Sequence, residues 1–176
     1  APTAATDGQR VYAMFANGDL VSFDFSGNRV WAKSFWPLEN TYGYASSLDV
    51  TKGLLFLLLD QATADDGKSA LLALDVLTGR TVWQAKRPVS NSWATPIVAA
   101  TSKGDQLITS ADPLVIAYDP LTGAELWKVD CMAGDVAPSP VYSKDFVFVV
   151  HADTKLAASR PDVKGDVTET HVAWFS

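Results

Sequence analysis

The 176-residue chain is poor in the residues that most often carry chemistry: it has one cysteine, Cys131, and two histidines, His151 and His171. A single cysteine excludes an intrachain disulfide and a cysteine-built metal cage, and neither histidine has a partner at metal-ligand spacing. Basic residues are scarce as well, 14 against 20 acids, for a formal net charge of −6. The positive field that draws phosphate backbones is therefore missing, and nucleic acid is not an expected partner. Long apolar runs are absent: the most apolar stretch, Leu54 to Leu59, is far shorter than the roughly 20 residues of a membrane-crossing helix. No membrane insertion is expected, and no charged-then-apolar leader opens the sequence. The patterns Gly-x-Ser-x-Gly, Gly-x-Gly-x-x-Gly, His-Glu-x-x-His and Cys-x-x-Cys do not occur, so a nucleophile elbow, a dinucleotide loop, a zinc-protease helix and a dithiol site lack support.

What is present is a globular mixture, 48% hydrophobic and 19% charged, of a length suited to one domain with a sizeable core. Internal repetition organises it. Trp31, Trp83, Trp127 and Trp174 recur at spacings of 52, 44 and 47, a period that signals stacked supersecondary units. Each closes a similar phrase: Asp24 to Gly27 precedes Trp31, Asp75 to Gly79 precedes Trp83, and Asp119 to Gly123 precedes Trp127. The fourth copy, with Gly165 ahead of Trp174, is looser. Aspartate at the head of such a turn accepts backbone N–H groups two or three residues on, and glycine supplies the positive φ that closes the hairpin. Earlier in each unit stand Thr3-Ala4-Ala5, Ser46-Ser47-Leu48, Ala94-Thr95-Pro96 and Pro138-Ser139-Pro140. Strand-like runs follow at 10–15, 54–59, 106–109 and 146–150, rich in β-branched, aromatic and leucine residues.

Four short strands per unit and four units, at 1–35, 36–88, 89–132 and 133–176, predict an all-β protein: a β-propeller of four-stranded antiparallel blades, about four in number and forming a partial ring. Trp31, Trp83, Trp127 and Trp174, with Asp24, Asp75, Asp119, Gly27, Gly79 and Gly123, are assigned to structure, each tryptophan filling the space between neighbouring sheets. Loops between blades, and those between second and third strands, are expected to gather on one rim around a funnel. They carry Trp36, Asn40, Tyr42, Asn91, Trp93, Asp112, Asp135 and His151, a set of aromatic, amide and acidic groups suited to a small ligand or a peptide. The competing reading makes Asn91 and Asp135 ordinary turn residues and Trp36 and Trp93 covers for blade ends. A glycosidase needs two carboxyl groups about 5–10 Å apart; Asp112 and Asp135 are the pair to inspect, and they read as loop acids.

The segment Ala73 to Trp83, Ala-Leu-Asp-x-x-Thr-Gly-x-x-x-Trp, and its near copy Ala117 to Trp127 resemble the tryptophan-docking motif of propellers similar to pyrroloquinoline quinone (PQQ) dehydrogenases. The wording Gly165 to Trp174 is also similar to PQQ-like repeat proteins of planctomycete-type bacteria. The resemblance covers the whole chain as four consecutive repeats. It implies an extracytoplasmic setting, such as the periplasm, and rings of seven or eight blades. Four blades would leave end faces uncovered, so the chain is expected to be a piece of a longer propeller, its abrupt start and end favouring that origin; a homodimer of two copies completing an eight-bladed ring is the rival. Three functions follow from the resemblance. The first is a non-catalytic scaffold that binds a protein partner or small ligand at the rim, like the outer-membrane assembly lipoprotein with the same repeat. The second is part of a PQQ-dependent dehydrogenase, with PQQ and calcium as cofactors. The third is a sensor or accessory domain of a kinase-like multidomain protein. Family dehydrogenases place the quinone beneath a vicinal disulfide, which a single cysteine rules out within this chain, so no cofactor and no metal are expected in it.

Overall fold

Side chains that alternate between two faces turn these apolar runs into sheets that pack on one side or on both. The computed structural model describes residues 2–143, 145–150 and 156–175. Its strands are β1 (Ala5–Thr6), β2 (Arg10–Met14), β3 (Asp19–Asp24) and β4 (Arg29–Ser34), then β5 (Asp49–Thr51), β6 (Leu54–Leu59), β7 (Ala70–Asp75) and β8 (Thr81–Lys86). They continue with β9 (Ile97–Thr101), β10 (Gly104–Ser110), β11 (Leu114–Tyr118) and β12 (Glu125–Asp130), and end with β13 (Val141–Ser143), β14 (Phe146–Val150), β15 (Leu156–Ser159), β16 (Gly165–Asp166) and β17 (Val172–Phe175). The sheets run β1-β2-β3-β4, β5-β6-β7-β8, β9-β10-β11-β12 and β13-β14-β15-β17, every one of these pairs antiparallel. The protein is therefore all-β and built from four consecutive blades. The short strands β1, β5 and β9 lie beside one another and mark the inner edge.

The third sheet departs from the simple repeat. Strand β16 pairs parallel with β12, setting Gly165 opposite Trp127 and Asp166 opposite Lys128, so this sheet has five strands. The connection from β15 to β17 is thus not a tight hairpin like its three counterparts. It crosses to the neighbouring blade, where Val163 and Val167 join the cluster around Trp127.

Burial explains why β6 is apolar throughout. Leu55, Leu57 and Leu59 pack with Tyr12, Met14 and Leu20 of the first blade, whereas Leu54, Phe56 and Leu58 pack with Leu107, Ile116 and Tyr118 of the third. A strand covered on both faces has no polar side to alternate with, and each buried leucine contributes about 1.5–3 kcal/mol of transfer free energy. A hydroxyl relay reinforces this packing. Thr3 N donates to Ser47 Oγ (2.9 Å), Ser47 N to Thr95 Oγ1 (3.0 Å) and Thr95 N to Ser139 Oγ (2.9 Å). The repeated Ser/Thr signature is therefore a set of blade-to-blade hydrogen bonds at the inner edge.

Candidate functional site

The Asp-Gly turns have a common geometry. Asp75 Oδ1 accepts from Leu77 N (3.1 Å), Thr78 N (2.8 Å) and Thr78 Oγ1 (2.7 Å), and Asp119 Oδ1 accepts from Leu121 N (2.8 Å) and Thr122 N (2.9 Å). The Thr78 hydroxyl, helped by the Thr78 and Leu77 N–H groups, holds the Asp75 carboxyl below its ordinary pKa against the opposing effect of burial. Asp24 heads a turn one residue shorter and accepts from Ser26 N and Asn28 N, both at 2.9 Å; the Asn28 side chain leads the groups that lower its pKa. Gly79 (φ 68°) and Gly123 (φ 73°) close the two longer turns and are floors for the preceding blade's tryptophan. A Cβ on Gly79 would lie 2.7 Å from Trp31 Cε3, and one on Gly123 would lie 2.5 Å from Trp83 Cε3. The same rings donate Nε1 to the carbonyl that follows the aspartate, Trp31 to Val76 O and Trp83 to Pro120 O, each at 3.0 Å.

The other two tryptophans sit differently. Trp127 is fully buried, but its Nε1 donates to Gln106 Oε1 of its own blade at 2.8 Å. The fourth blade offers it no Asp-Gly turn, and Gln106 Nε2 in turn holds Pro161 O at 3.0 Å. Trp174 is 42% exposed and touches Phe148, ring centroids 6.2 Å apart.

At the other end of the strands the loops are stitched together. Phe35 N donates to Gly18 O, Ala62 N to Glu39 O, Asn91 N to Ala62 O, Ser90 N to Asp112 O, and Cys131 N to Pro113 O, all at 2.8–3.1 Å. Trp93 N donates to Val136 O at 2.9 Å, beside a parallel bridge between Ser92 and Val136. Blade-to-blade loops and second-to-third-strand loops thus form one rim. Within it Asn40 acts as a connector: its Nδ2 lies 3.3 Å from Asp60 O and 3.4 Å from Ser92 O, and its Oδ1 accepts from Tyr42 N. Tyr42 is 74% exposed and leans on Trp93, centroids 5.2 Å apart, and Trp36 is 70% exposed. Asn91 and Asp112 enter through backbone bonds and are half-buried, whereas the exposed Asp135 joins none of these side-chain contacts. His151 lies outside the described residues. Among the described residues, no three His, Cys, Asp or Glu side chains are grouped to hold a metal ion.

Beneath the rim lies a charged cluster that sequence reasoning did not single out. Arg87 and Asp60 are both fully buried and form a forked pair, Nε to Oδ1 at 2.7 Å and Nη2 to Oδ2 at 3.1 Å. Arg87 Nη1 also donates to Thr109 Oγ1 and to Tyr118 Oη, while Ser92 Oγ donates to Asp60 Oδ2 at 2.7 Å. Burial disfavours the Arg87 charge, but the Asp60 carboxylate and Tyr118 outweigh it and raise its pKa. Burial, with a push from Asp60, likewise raises the pKa of the Tyr44 hydroxyl. Tyr44 Oη and Trp93 Nε1 are buried and have no hydrogen-bond partner among the described residues. The available signal was positional: Asp60 directly follows the apolar strand β6, and Arg87 directly follows β8.

Four consecutive meanders, with two tryptophans laid on the next blade's turn, define a β-propeller segment. Residues 67–174 match the family model described as outer membrane protein assembly factor BamB, and the chain belongs to this PQQ-like β-propeller repeat family. It is 30% identical over 152 residues to the quinoprotein alcohol dehydrogenase PedE of Pseudomonas putida, a match covering 86% of this chain and 22% of that protein. The BamB crystal structure from Moraxella catarrhalis superimposes with a TM-score of 0.68 at 16% identity, over 99% of this chain and 47% of that one. Quinohemoprotein alcohol dehydrogenase from Comamonas testosteroni gives a TM-score of 0.69 at 16% identity, over 99% and 34% respectively. The chain spans about a fifth of the length of the curated relatives it matches.

Proposed function

We propose that this chain is part of a non-catalytic propeller scaffold that works outside the cytoplasm and binds a protein partner through its aromatic rim. The observation that carries the reading is the division of labour at the rim. The buried ionic groups Asp60 and Arg87 are bound to each other, while Trp36 and Tyr42 stand exposed in the loop that joins the first and second blades. A rim that exposes aromatic side chains while its buried charges are fully paired suits recognition of an extended segment better than proton transfer. The match to a family described as an outer membrane protein assembly factor points the same way. Among the described residues, no helix is long and apolar enough to cross a membrane.

The second reading, part of a PQQ-dependent dehydrogenase, rests on the 30% identity to PedE. The donor set of this chain fits a quinone and calcium poorly. Its one thiol, Cys131, is pushed up to about 12 by burial and by Asp130, and the carboxylate beneath the rim, Asp60, already holds a guanidinium. An array of immobilised extended peptides probed with the chain and with Trp36→Ala/Tyr42→Ala separates the readings when paired with a titration by PQQ and calcium, followed by tryptophan quenching. Peptide binding that the double variant loses supports the scaffold. Stoichiometric quenching by PQQ without peptide binding overturns it in favour of the dehydrogenase.

A further inference from the structure

We infer that the partner segment bound at the rim is basic: an extended stretch of chain whose lysine or arginine side chains meet Asp65, Asp112 and Asp135 and lie against the exposed rings of Trp36 and Tyr42. The inference rests on the reading of the rim as a partner-binding surface and adds the chemistry of what binds there.

Charge is unevenly spread over the chain. The rim loops, at 15–18, 35–48, 60–69, 87–96, 111–113 and 131–140, contain six acids and only two bases, so they hold −4 of the formal net charge of −6. Both bases are already committed, Lys68 Nζ to Glu39 Oε2 at 2.6 Å and Arg87 to Asp60. Of the four acids that remain, Asp66 accepts from Thr63 N (3.0 Å) and Thr63 Oγ1 (2.6 Å). The carboxylates of Asp65, Asp112 and Asp135 have neither a hydrogen bond nor an ion pair among the described residues, and Asp65 and Asp135 are exposed. The rim thus offers negative charge that nothing in its own loops neutralises.

Backbone bonds tie these acids to the rings. Ala62, in the loop that carries Asp65, donates N to Glu39 O and accepts from Asn91 N. Ser90 N donates to Asp112 O, and Trp93 N donates to Val136 O, next to Asp135. The contact of Tyr42 on Trp93 belongs to the same frame. An aromatic face attracts a lysine or arginine head group, and the long apolar stem of either side chain can lie along a ring while its charge reaches a carboxylate.

Two further groups favour an extended segment. Trp93 Nε1 and the hydroxyl of Tyr44, a residue only 6% exposed, are buried with no hydrogen-bond partner among the described residues. Both residues belong to rim loops. Extended main chain presents a carbonyl at every residue, the acceptor that such donors lack. An acidic segment would set its carboxylates against the rim acids, and like charges brought together across an interface oppose binding.

The test is fluorescence anisotropy of labelled extended peptides of equal length, with Lys, Gln or Glu at alternate positions, titrated with the chain. At about 50 mM salt the Lys peptide is expected to bind at least about 10-fold more tightly than the Gln peptide, as for three exposed charge pairs, and the Glu peptide more weakly than either. At about 300 mM salt that preference is expected to fall below about 3-fold. Asp65→Asn/Asp112→Asn is expected to weaken the Lys peptide about 5-fold and to leave the Gln peptide unchanged. Glu125→Gln/Asp145→Asn removes the same charge at the opposite end of the strands and is expected to change either by less than about 2-fold. Equal affinity for all three peptides, abolished by Trp36→Ala/Tyr42→Ala, overturns the basic partner and leaves the rim reading standing. An Asp65→Asn/Asp112→Asn variant with parental preference for the Lys peptide likewise overturns it. Binding of none of the peptides overturns the rim reading itself, and this inference with it.

Discussion

Replacing Gly123 by alanine isolates the contact that spaces one blade from the next. Two penalties arise at this position. Alanine at φ 73° costs about 1 kcal/mol for the left-handed backbone. The new Cβ would lie 2.5 Å from Trp83 Cε3 and 2.7 Å from Cδ2, so the ring must retreat by about 1 Å to reach an ordinary carbon–carbon contact. That movement breaks the 3.0 Å bond from Trp83 Nε1 to Pro120 O, worth about 1 kcal/mol, and disturbs the packing of Trp83 on Phe56 by about 1 kcal/mol more. The sum is about 3 kcal/mol. Gly53→Ala is the matched control: Gly53 has φ 78°, and a Cβ there meets nothing within 4 Å, so only the backbone penalty of about 1 kcal/mol remains. In a chain of this size the two variants are expected to lower the melting temperature by about 6–12 °C and about 2–4 °C respectively. Thermal unfolding followed by circular dichroism measures both. Equal shifts for the two variants would refute the idea that Gly123 is required by the tryptophan above it rather than by its turn alone.

The buried ion pair gives a second prediction: Asp60→Ala strands Arg87 without its forked partner and is expected to cost about 3–5 kcal/mol, whereas Asp60→Leu/Arg87→Met recovers much of that loss; urea unfolding of both tests it, and equal losses refute it. Trp127→Ala removes a fully buried ring and its bond to Gln106 and is expected to cost about 3–5 kcal/mol; an unfolding midpoint equal to the parent's contradicts this. A pH prediction concerns Asp7. Burial opposes its charge, but the Tyr12 hydroxyl, the Gln9 and Arg10 N–H groups and the Arg10 guanidinium bring its pKa from 3.8 down to about 2. Its contribution to stability is therefore present above pH 3.8 and is lost as pH falls through about 2. Asp7→Asn is expected to flatten the acid side of the stability profile in that window, and an unchanged slope from urea unfolding across it counts against the assignment.

The repeat was legible because it answers to one spacing problem solved several times. A turn that must present a flat floor to a neighbouring ring requires glycine, and a turn that must stay tight requires an aspartate to gather its N–H groups, so both residues recur in register. Where the neighbour changes, the pattern changes with it. The fourth unit lacks the Asp-Gly turn because its connection leaves the sheet to place Gly165 beside Trp127, and a two-residue parallel pairing leaves no periodic trace in the sequence. Rim residues were legible only as loop composition. Tyr42 and Trp93 meet through loops of different blades, a contact that depends on how the blades are arrayed and on no local signal.

The pair Asp60 and Arg87 shows why charge alone misleads in such a chain. Each stands directly after a strand, where a charged residue ordinarily marks the return to solvent, yet both side chains are fully buried. The reason lies in the register of the two blades. Asp60 directly follows β6 of the second blade, Arg87 directly follows β8 of the same blade, and the guanidinium reaches Thr109 and Tyr118 of the third. One cation thereby satisfies a carboxylate of its own sheet and hydroxyls of the next, while Ser92 in the intervening loop gives Asp60 Oδ2 a second donor. Such a network fixes the position of one blade against another at the end that carries the rim. An apolar contact at the same place would tolerate sliding, whereas directional bonds to a buried charge do not. The aromatic rim therefore rests on a polar joint, and the chemistry committed to holding that joint together is unavailable to a substrate.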